Sequence, residues 1–202
     1  MYFKANQPII LASQSPRRSE LLGMLGFEFQ VIPSTKEEPK PEGFPDAVSY
    51  VTSCAEMNAA DIAQEQPDAL VIGADTVVVC DGEILLKPKD KEQAMEYLRK
   101  LSGRSHEVIT AVAVKAENGG FSFHETTEVT FTDVPSSWIA AYTNSDDPYD
   151  KAGAYGIQTM SGLFVEKING DYNTVVGLPI ARLARKLMDA GYLSLSGSRV
   201  EC

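Results

Sequence analysis

The residues best suited to chemistry fall in three separated stretches. The first is Ser13-Gln14-Ser15-Pro16-Arg17-Arg18, directly after the apolar run Ile9-Ile10-Leu11. Proline is favourable at the first position of a helix, and Ser15 before it is placed to cap. Arg17 and Arg18 would then sit in the first turn, where a cation opposes the helix dipole by roughly 0.3–1 kcal/mol. Either they are solvated on an ordinary helix start, or they and the serines hold an anion at that end. The second stretch is Gly73-Ala74-Asp75-Thr76, between the apolar runs Leu70-Val71-Ile72 and Val77-Val78-Val79. A carboxylate framed by two buried strands is costly unless paired, hydrogen-bonded or coordinating a metal. It is alternatively a turn-capping aspartate. The third stretch runs from Asp146 to Gln158 and sets Asp150, Lys151, Tyr155 and Gln158 among Gly153 and Gly156. Such a loop has the groups to hold a base or sugar, or is only a tight connection.

The elements that must position these groups are legible in outline. Ile9–Leu11 reads as a buried strand, and a helix follows with Leu21, Leu22 and Leu25 on its apolar face and Gly26 as its stop. Phe27, Phe29, Val31 and Ile32 alternate as a half-buried strand. Pro33–Phe44, rich in Pro, Lys and Glu, reads as a mobile loop carrying Glu37 and Glu38, residues that composition alone leaves solvated. Asp46–Ala63 is helical. Asp81-Gly82 is a hairpin turn. Lys87-Pro88 fixes a non-helical exit, where Lys87 alone is a surface lysine. Asp90 caps a helix to Leu101. Val108–Val114 and Phe121–Phe131 form a long antiparallel hairpin through Asn118-Gly119-Gly120. Ser136 or Ser137 caps a short helix through Tyr142. Leu163–Ile168 is a strand, Asn169-Gly170 a hairpin turn, and a last helix carries Leu183, Leu187 and Met188. This order of βα units and hairpins gives an α/β class with a mixed parallel and antiparallel sheet. Neither a GxxxxGK[ST] loop nor a GxGxxG fingerprint is present, so P-loop and Rossmann readings fail.

A chain of 202 residues suits one domain, 1–202, with a frayed tail over 194–202. Its formal charge of −10 offers no general field for polyanions, so neither nucleic acid nor an anionic membrane is an expected partner. An anion site must be local, which suits a small phosphorylated ligand. Cys54, Cys80 and Cys202 show no CxxC spacing, and His106 and His124 are too few for zinc, so a reduced, cytoplasmic setting is expected.

Taken together, five motifs in order resemble the Maf family of nucleoside triphosphate pyrophosphatases. They are Ser13 to Leu22, then Gly73 to Thr76 with Lys87-Pro88, Leu101 to His106, Asp150 to Gln158, and Gly177-Leu178-Pro179. The resemblance covers about Ile9 to Ile180. It implies two lobes around a deep nucleotide-binding cleft, a Maf/ITPase-like fold, and a homodimer. It also implies hydrolysis of a nucleoside triphosphate to the monophosphate and pyrophosphate with Mg²⁺ or Mn²⁺. The forms at Arg17, Thr76 and Gln158 are similar to the dTTP/UTP branch, with Gln158 pairing the base edge. By the same resemblance Asp75, Glu38 and Lys87 are catalytic, and Glu38 and Asp75 hold the metal. Ser13, Arg17, Arg18, Thr76, Lys151 and Gln158 bind substrate. One departure stands out: the family often carries a lysine where this chain has Asn58. Lys151 or another cation then compensates, or turnover falls. A purine-directed pyrophosphatase and a nucleotide-sensing regulator of septum formation without turnover are the rival readings.

Overall fold

In the computed structural model, residues 3–196 are described. In chain order the strands and helices begin with β1 (Phe3–Ala5), β2 (Ile9–Ala12), α1 (Pro16–Gly23), β3 (Gln30–Val31) and α2 (Ala47–Glu65). They continue with β4 (Leu70–Cys80), β5 (Glu83–Leu85), α3 (Lys91–Leu101), β6 (Ser105–Ala116) and β7 (Gly119–Phe131). The remainder are α4 (Ser136–Tyr142), β8 (Val165–Asn169), α5 (Tyr172–Val176), α6 (Ile180–Asp189) and β9 (Leu193–Leu195). Among the described residues seven strands form one mixed sheet, ordered β3-β2-β4-β6-β7-β8, with β5 also on β4.

The sheet's central strand explains the cleft. Leu70–Cys80 is one unbroken strand, not two, so Asp75 lies at mid-strand and not in a turn. On one edge β4 pairs antiparallel with β6 from Val71 to Val79. On the other edge β2 pairs in parallel over Leu70–Gly73, and β5 pairs over Val78–Cys80. Positions 74–77 are left between these two partners. A gap in the pairing of a buried strand is a place for a site, as at the carboxyl end of any parallel strand.

Three apolar clusters hold this arrangement. Leu11, Leu22, Ile72, Leu178 and Leu183 join α1 and α6 to one face of the sheet. Ile10, Tyr50, Val51, Cys54, Ala55 and Val71 join α2 to the other face. Leu85, Leu98, Phe131, Ile139, Tyr155 and Phe164 form the third, beneath α3 and α4. Gly73 shows how close α2 lies. A Cβ there would fall 2.4 Å from the Ala55 carbonyl oxygen and 2.7 Å from the Ala59 nitrogen, both backbone atoms.

Local expectations divide by whether the signal was local. Asp46 and Asp90 cap their helices, accepting from Ser49 N at 2.7 Å and Gln93 N at 2.8 Å. Ser15 makes no side-chain cap bond; its own amide donates to Ser13 Oγ at 3.2 Å. Neither Ser136 nor Ser137 caps α4, which starts after Pro135. The expected strand from Phe27 shrinks to Gln30–Val31, because only two residues reach β2 at the sheet edge. The loop after Pro33 is tied at its start to α2. Leu163 lies in a 3₁₀ turn, Met160–Phe164, ahead of β8. Asn169-Gly170 leads into α5, capped by Asp171, and not into a hairpin. Ser194 and Leu195, expected to fray, pair with Lys4 and Phe3 in the two-stranded β1-β9 ladder. The remainder of that tail, 197–202 with Cys202, lies outside the described residues.

Candidate active site

The gap beside β4 opens into a cleft of about 620 Å³. Ser13, Arg17, Arg18, Glu38, Asp75, Thr76, Lys87, Lys151 and Gln158 all line it, so the fold gathers every residue to which the resemblance assigns a catalytic or binding role. They come from the end of β2, the first turn of α1, the loop before α2, mid-β4, the stretch after β5 and the loop between α4 and β8.

Arg18 is the fixed point of the end of the cleft formed by β2, α1 and β4. Its Nε donates to the Gly177 carbonyl at 2.9 Å, Nη1 to Ser13 Oγ at 3.2 Å and Nη2 to Thr76 Oγ1 at 3.0 Å. The direction of the hydrogen-bond chain behind it follows by elimination. Thr110 Oγ1, fully buried in β6, donates to the Thr174 carbonyl at 2.7 Å. It must therefore accept from Thr76 at 2.9 Å, which leaves Thr76 to accept from Arg18. Thr76 thus positions the arginine, and its hydroxyl proton is already committed. Ser13, by contrast, accepts from Arg18 and from Ser15 N, which leaves its own proton to donate.

Asp75 stands 3.9 Å from Arg18 Nη2, with its side chain only 15% exposed. Burial pushes its carboxyl up to about 6, opposed by the Arg18 and Lys87 charges and reinforced by Glu38. Burial also lowers the Arg18 guanidinium from its ordinary value, against the Asp75 charge that raises it. Behind Asp75, burial and then the Asp75 charge push the Cys54 thiol up to about 12, so it stays a protonated thiol.

The other end of the cleft is a closed network. Lys151 is buried, and its ammonium donates to the Asp147 carbonyl at 2.6 Å, Asp147 Oδ1 at 3.0 Å and Asp150 Oδ1 at 2.6 Å. All three donors are used within the loop, so the ammonium is committed to holding its shape. Asp150 also accepts from Arg17 at 2.9 Å, tying the loop to α1. Asp147 Oδ2 accepts from Tyr142 Oη and Thr159 Oγ1, each at 2.6 Å, next to Gln158. A Cβ on Gly156 would lie 2.6 Å from Lys151 Cε, so a larger residue there would displace the end of the lysine stem from its present path. His106, from the Leu101-to-His106 motif, is buried against Tyr155, whose hydroxyl lies 2.8 Å from its Nε2; burial lowers its pKa to about 4. It is a core residue.

Asp147, Thr110 and the Asp61 anchor described below were not singled out from sequence. The available signals were a lone threonine in the apolar run Val108–Val114, and Asp147 four residues before Lys151.

With this geometry in place, comparison with known proteins is informative. The model of the family described as Maf-like protein matches residues 8–190. The chain belongs to the Maf family. It is 48% identical over 181 residues to a dTTP/UTP pyrophosphatase of Bacillus velezensis, covering 90% of this chain and 95% of that one. It is 46% identical over 180 residues to a dTTP/UTP pyrophosphatase of Exiguobacterium sibiricum, covering 89% of this chain and 91% of that one. A fainter structural likeness, at a TM-score of 0.43 and 14% identity, is to a nucleoside-triphosphatase / dITP/XTP pyrophosphatase from Mycobacterium abscessus, covering 63% of this chain and 76% of that one. In this Maf-family member the cleft between β2 and β5 is the candidate active site. No helix among the described residues is long and apolar enough to cross a membrane.

Proposed function

We propose that this protein hydrolyses dTTP and UTP to the monophosphate and pyrophosphate. The observation that carries the reading is one cleft holding a buried carboxylate raised to about 6, a second carboxylate, a guanidinium anchored on three sides, and Gln158. The relatives named above supply the substrate class.

Glu38 and Asp75 are hard oxygen donors that suit Mg²⁺ or Mn²⁺. Among the described residues no three His, Cys, Asp or Glu side chains gather to hold a metal by themselves. Two carboxylates with phosphate oxygens and water completing the shell are what Mg²⁺ accepts. When bound there, the ion supplies charge neutralisation on the phosphate chain.

The protein's own groups do the rest. Water attacks the α-phosphorus, its proton goes to the Asp75 carboxylate, and the bond from that phosphorus to the bridging oxygen of the β-phosphate breaks. In the metal-free site a carboxyl near 6 is mostly ionised at pH 7, so it is present as the carboxylate that either role, proton acceptor or ion ligand, requires. Arg18, held by Ser13, Thr76 and Gly177, and Lys87 stabilise charge on the phosphate oxygens at little reorganisation cost. Ser13 donates its free proton to the same oxygens, and Arg17 joins the phosphates while Asp150 orients it. Gln158 offers an acceptor and a donor to the base edge, on a loop that Lys151 and Asp147 hold in shape. The working form is a homodimer, as the family resemblance implies, of a single-domain chain whose length and scattered cysteines suit the cytoplasm.

The test is pyrophosphate release from a panel of nucleoside triphosphates, with Mg²⁺ or Mn²⁺ and with chelator. Metal-dependent turnover of dTTP and UTP above the purines is expected. No turnover by a protein that binds dTTP would leave the sensor reading in its place.

A further inference from the structure

Arg17, Arg18, Lys36, Lys87 and Lys151 all line the cleft, but their charges are committed to very different degrees. Arg18 and Lys151 each donate three hydrogen bonds, and Arg17 shares Asp150. Lys36 is held loosely. Its Nζ lies 3.7 Å from Asp61 Oδ1, beyond hydrogen-bond length, on a side chain 60% exposed. A pair so long and so exposed contributes little, and leaves the ammonium available to a stronger anion.

The backbone that carries Lys36 is, by contrast, tightly placed. Asp61, on α2 with its side chain only 14% exposed, accepts through Oδ2 from Ser34 Oγ at 2.8 Å and from Thr35 N at 3.3 Å. Ser34 Oγ in turn accepts from Lys36 N at 3.2 Å. One half-buried carboxylate thus pins the start of the loop that two residues later delivers Glu38 to the cleft. Asn58 precedes Asp61 by three positions and so shares its helix face. It lines the cleft without charge, so the cation on this wall is Lys36.

We propose that Lys36 is a phosphate-binding side chain, presented by the Asp61-anchored loop to the terminal phosphates that leave as pyrophosphate. The proposal rests on the triphosphate reading above. Lys36 stands against Asp61 on the α2 wall, two residues before Glu38 in the same cleft-lining loop, whereas Gln158 stands on the loop that carries Tyr155 into the third cluster, so the lysine is assigned to the phosphate end. On binding, the ammonium exchanges a long contact with Asp61 for short, charge-assisted bonds to phosphate oxygens. The loop needs no rearrangement, because its anchor runs through Asp61 Oδ2 and not through the ammonium.

The experiment compares Lys36→Gln and Lys36→Arg with the parent protein by calorimetry in Mg²⁺, using pyrophosphate and dTMP as separate probes. Pyrophosphate binding is expected to weaken about tenfold in Lys36→Gln, with dTMP binding unchanged and most of the loss restored in Lys36→Arg. Equal pyrophosphate affinity in Lys36→Gln and parent would overturn the assignment. So would a matching loss of dTMP binding, which would mean that the whole loop had shifted. Turnover of dTTP by the parent is read separately, so failure of the pyrophosphatase reading is distinguishable from failure of Lys36.

Discussion

The strand that carries Asp75 and the loop that carries Gln158 face one cleft, yet their carboxylates are treated in opposite ways. Asp75 is largely withdrawn from water, its nearest cation contact is 3.9 Å away, and burial pushes it up to about 6. Asp147 is also pushed up by burial, but hydrogen bonds from Thr159, Tyr142 and Lys151 outweigh that and hold it below its ordinary value. Asp150 follows the same pattern, with Lys151 and Arg17 as its donors. The loop end is therefore a satisfied network that keeps a shape. The strand end retains an incompletely compensated charge, which is where a proton acceptor is useful and where stability is given up.

The sharpest break in that contrast is Asp75→Asn. Pyrophosphate release should fall by about 10²–10⁴-fold, while the fold persists. Stability should move the other way. A carboxyl whose folded pKa is raised disfavours folding when ionised, a penalty present above about pH 6 and absent below its unfolded value near 4. Asp75→Asn should therefore be more stable than the parent by about 1–3 kcal/mol in urea unfolding at pH 8, and not at pH 4. Retained activity would remove Asp75 from the mechanism.

Lys151→Met attacks the satisfied end. It leaves Asp147 and Asp150 facing each other without their shared cation, and should cost about 2–3 kcal/mol in the same unfolding assay, reduced from a fully buried pair because Asp150 is 57% exposed. An unchanged midpoint would mean that the network does not hold the loop. Gln158→Glu is a gentler probe: about tenfold loss with dTTP and UTP, and less with purines, in steady-state kinetics. Equal loss across all bases would return Gln158 to the scaffold. The smallest effect sharpens the contrast directly. In an NMR titration of metal-free protein the Asp75 carboxyl should titrate near 6, and Glu38→Gln should move it down by removing a like charge. Asp147 and Asp150 should titrate below their ordinary value, so their contribution persists down to acid pH and is lost only as pH falls through those lowered values. Co-titration of all three would dissolve the distinction.

How much of this was legible residue by residue follows from the range of the forces involved. Asp46 and Asp90 could be read as caps because a cap is a contact over three residues. Ser15 looked equally good, but its amide bonds back to Ser13, and Ser13 is held by Arg18. Gly73-Ala74 read as a break between strands. Its glycine is instead room for α2, supplied from eighteen positions earlier by Ala55. The β1-β9 ladder joins residues at the two ends of the described chain, which no local pattern announces.

Most of the strand and helix order and the mixed character of the sheet were determined by the sequence itself, through apolar periodicity and proline and glycine geometry. The cleft-lining groups were named by the motifs shared with the Maf family, since Glu38 and Lys87 read alone are solvated surface residues. Only the tertiary structure decided how each charge is committed. It put Asp75 in the gap between β2 and β5, aligned Arg18, Thr76, Thr110 and Thr174 in one hydrogen-bond chain, closed Lys151 between two aspartates, and left Lys36 loosely held. Burial and pairing are properties of neighbours brought from distant parts of the chain, and a carboxylate or ammonium acquires its strength only from them.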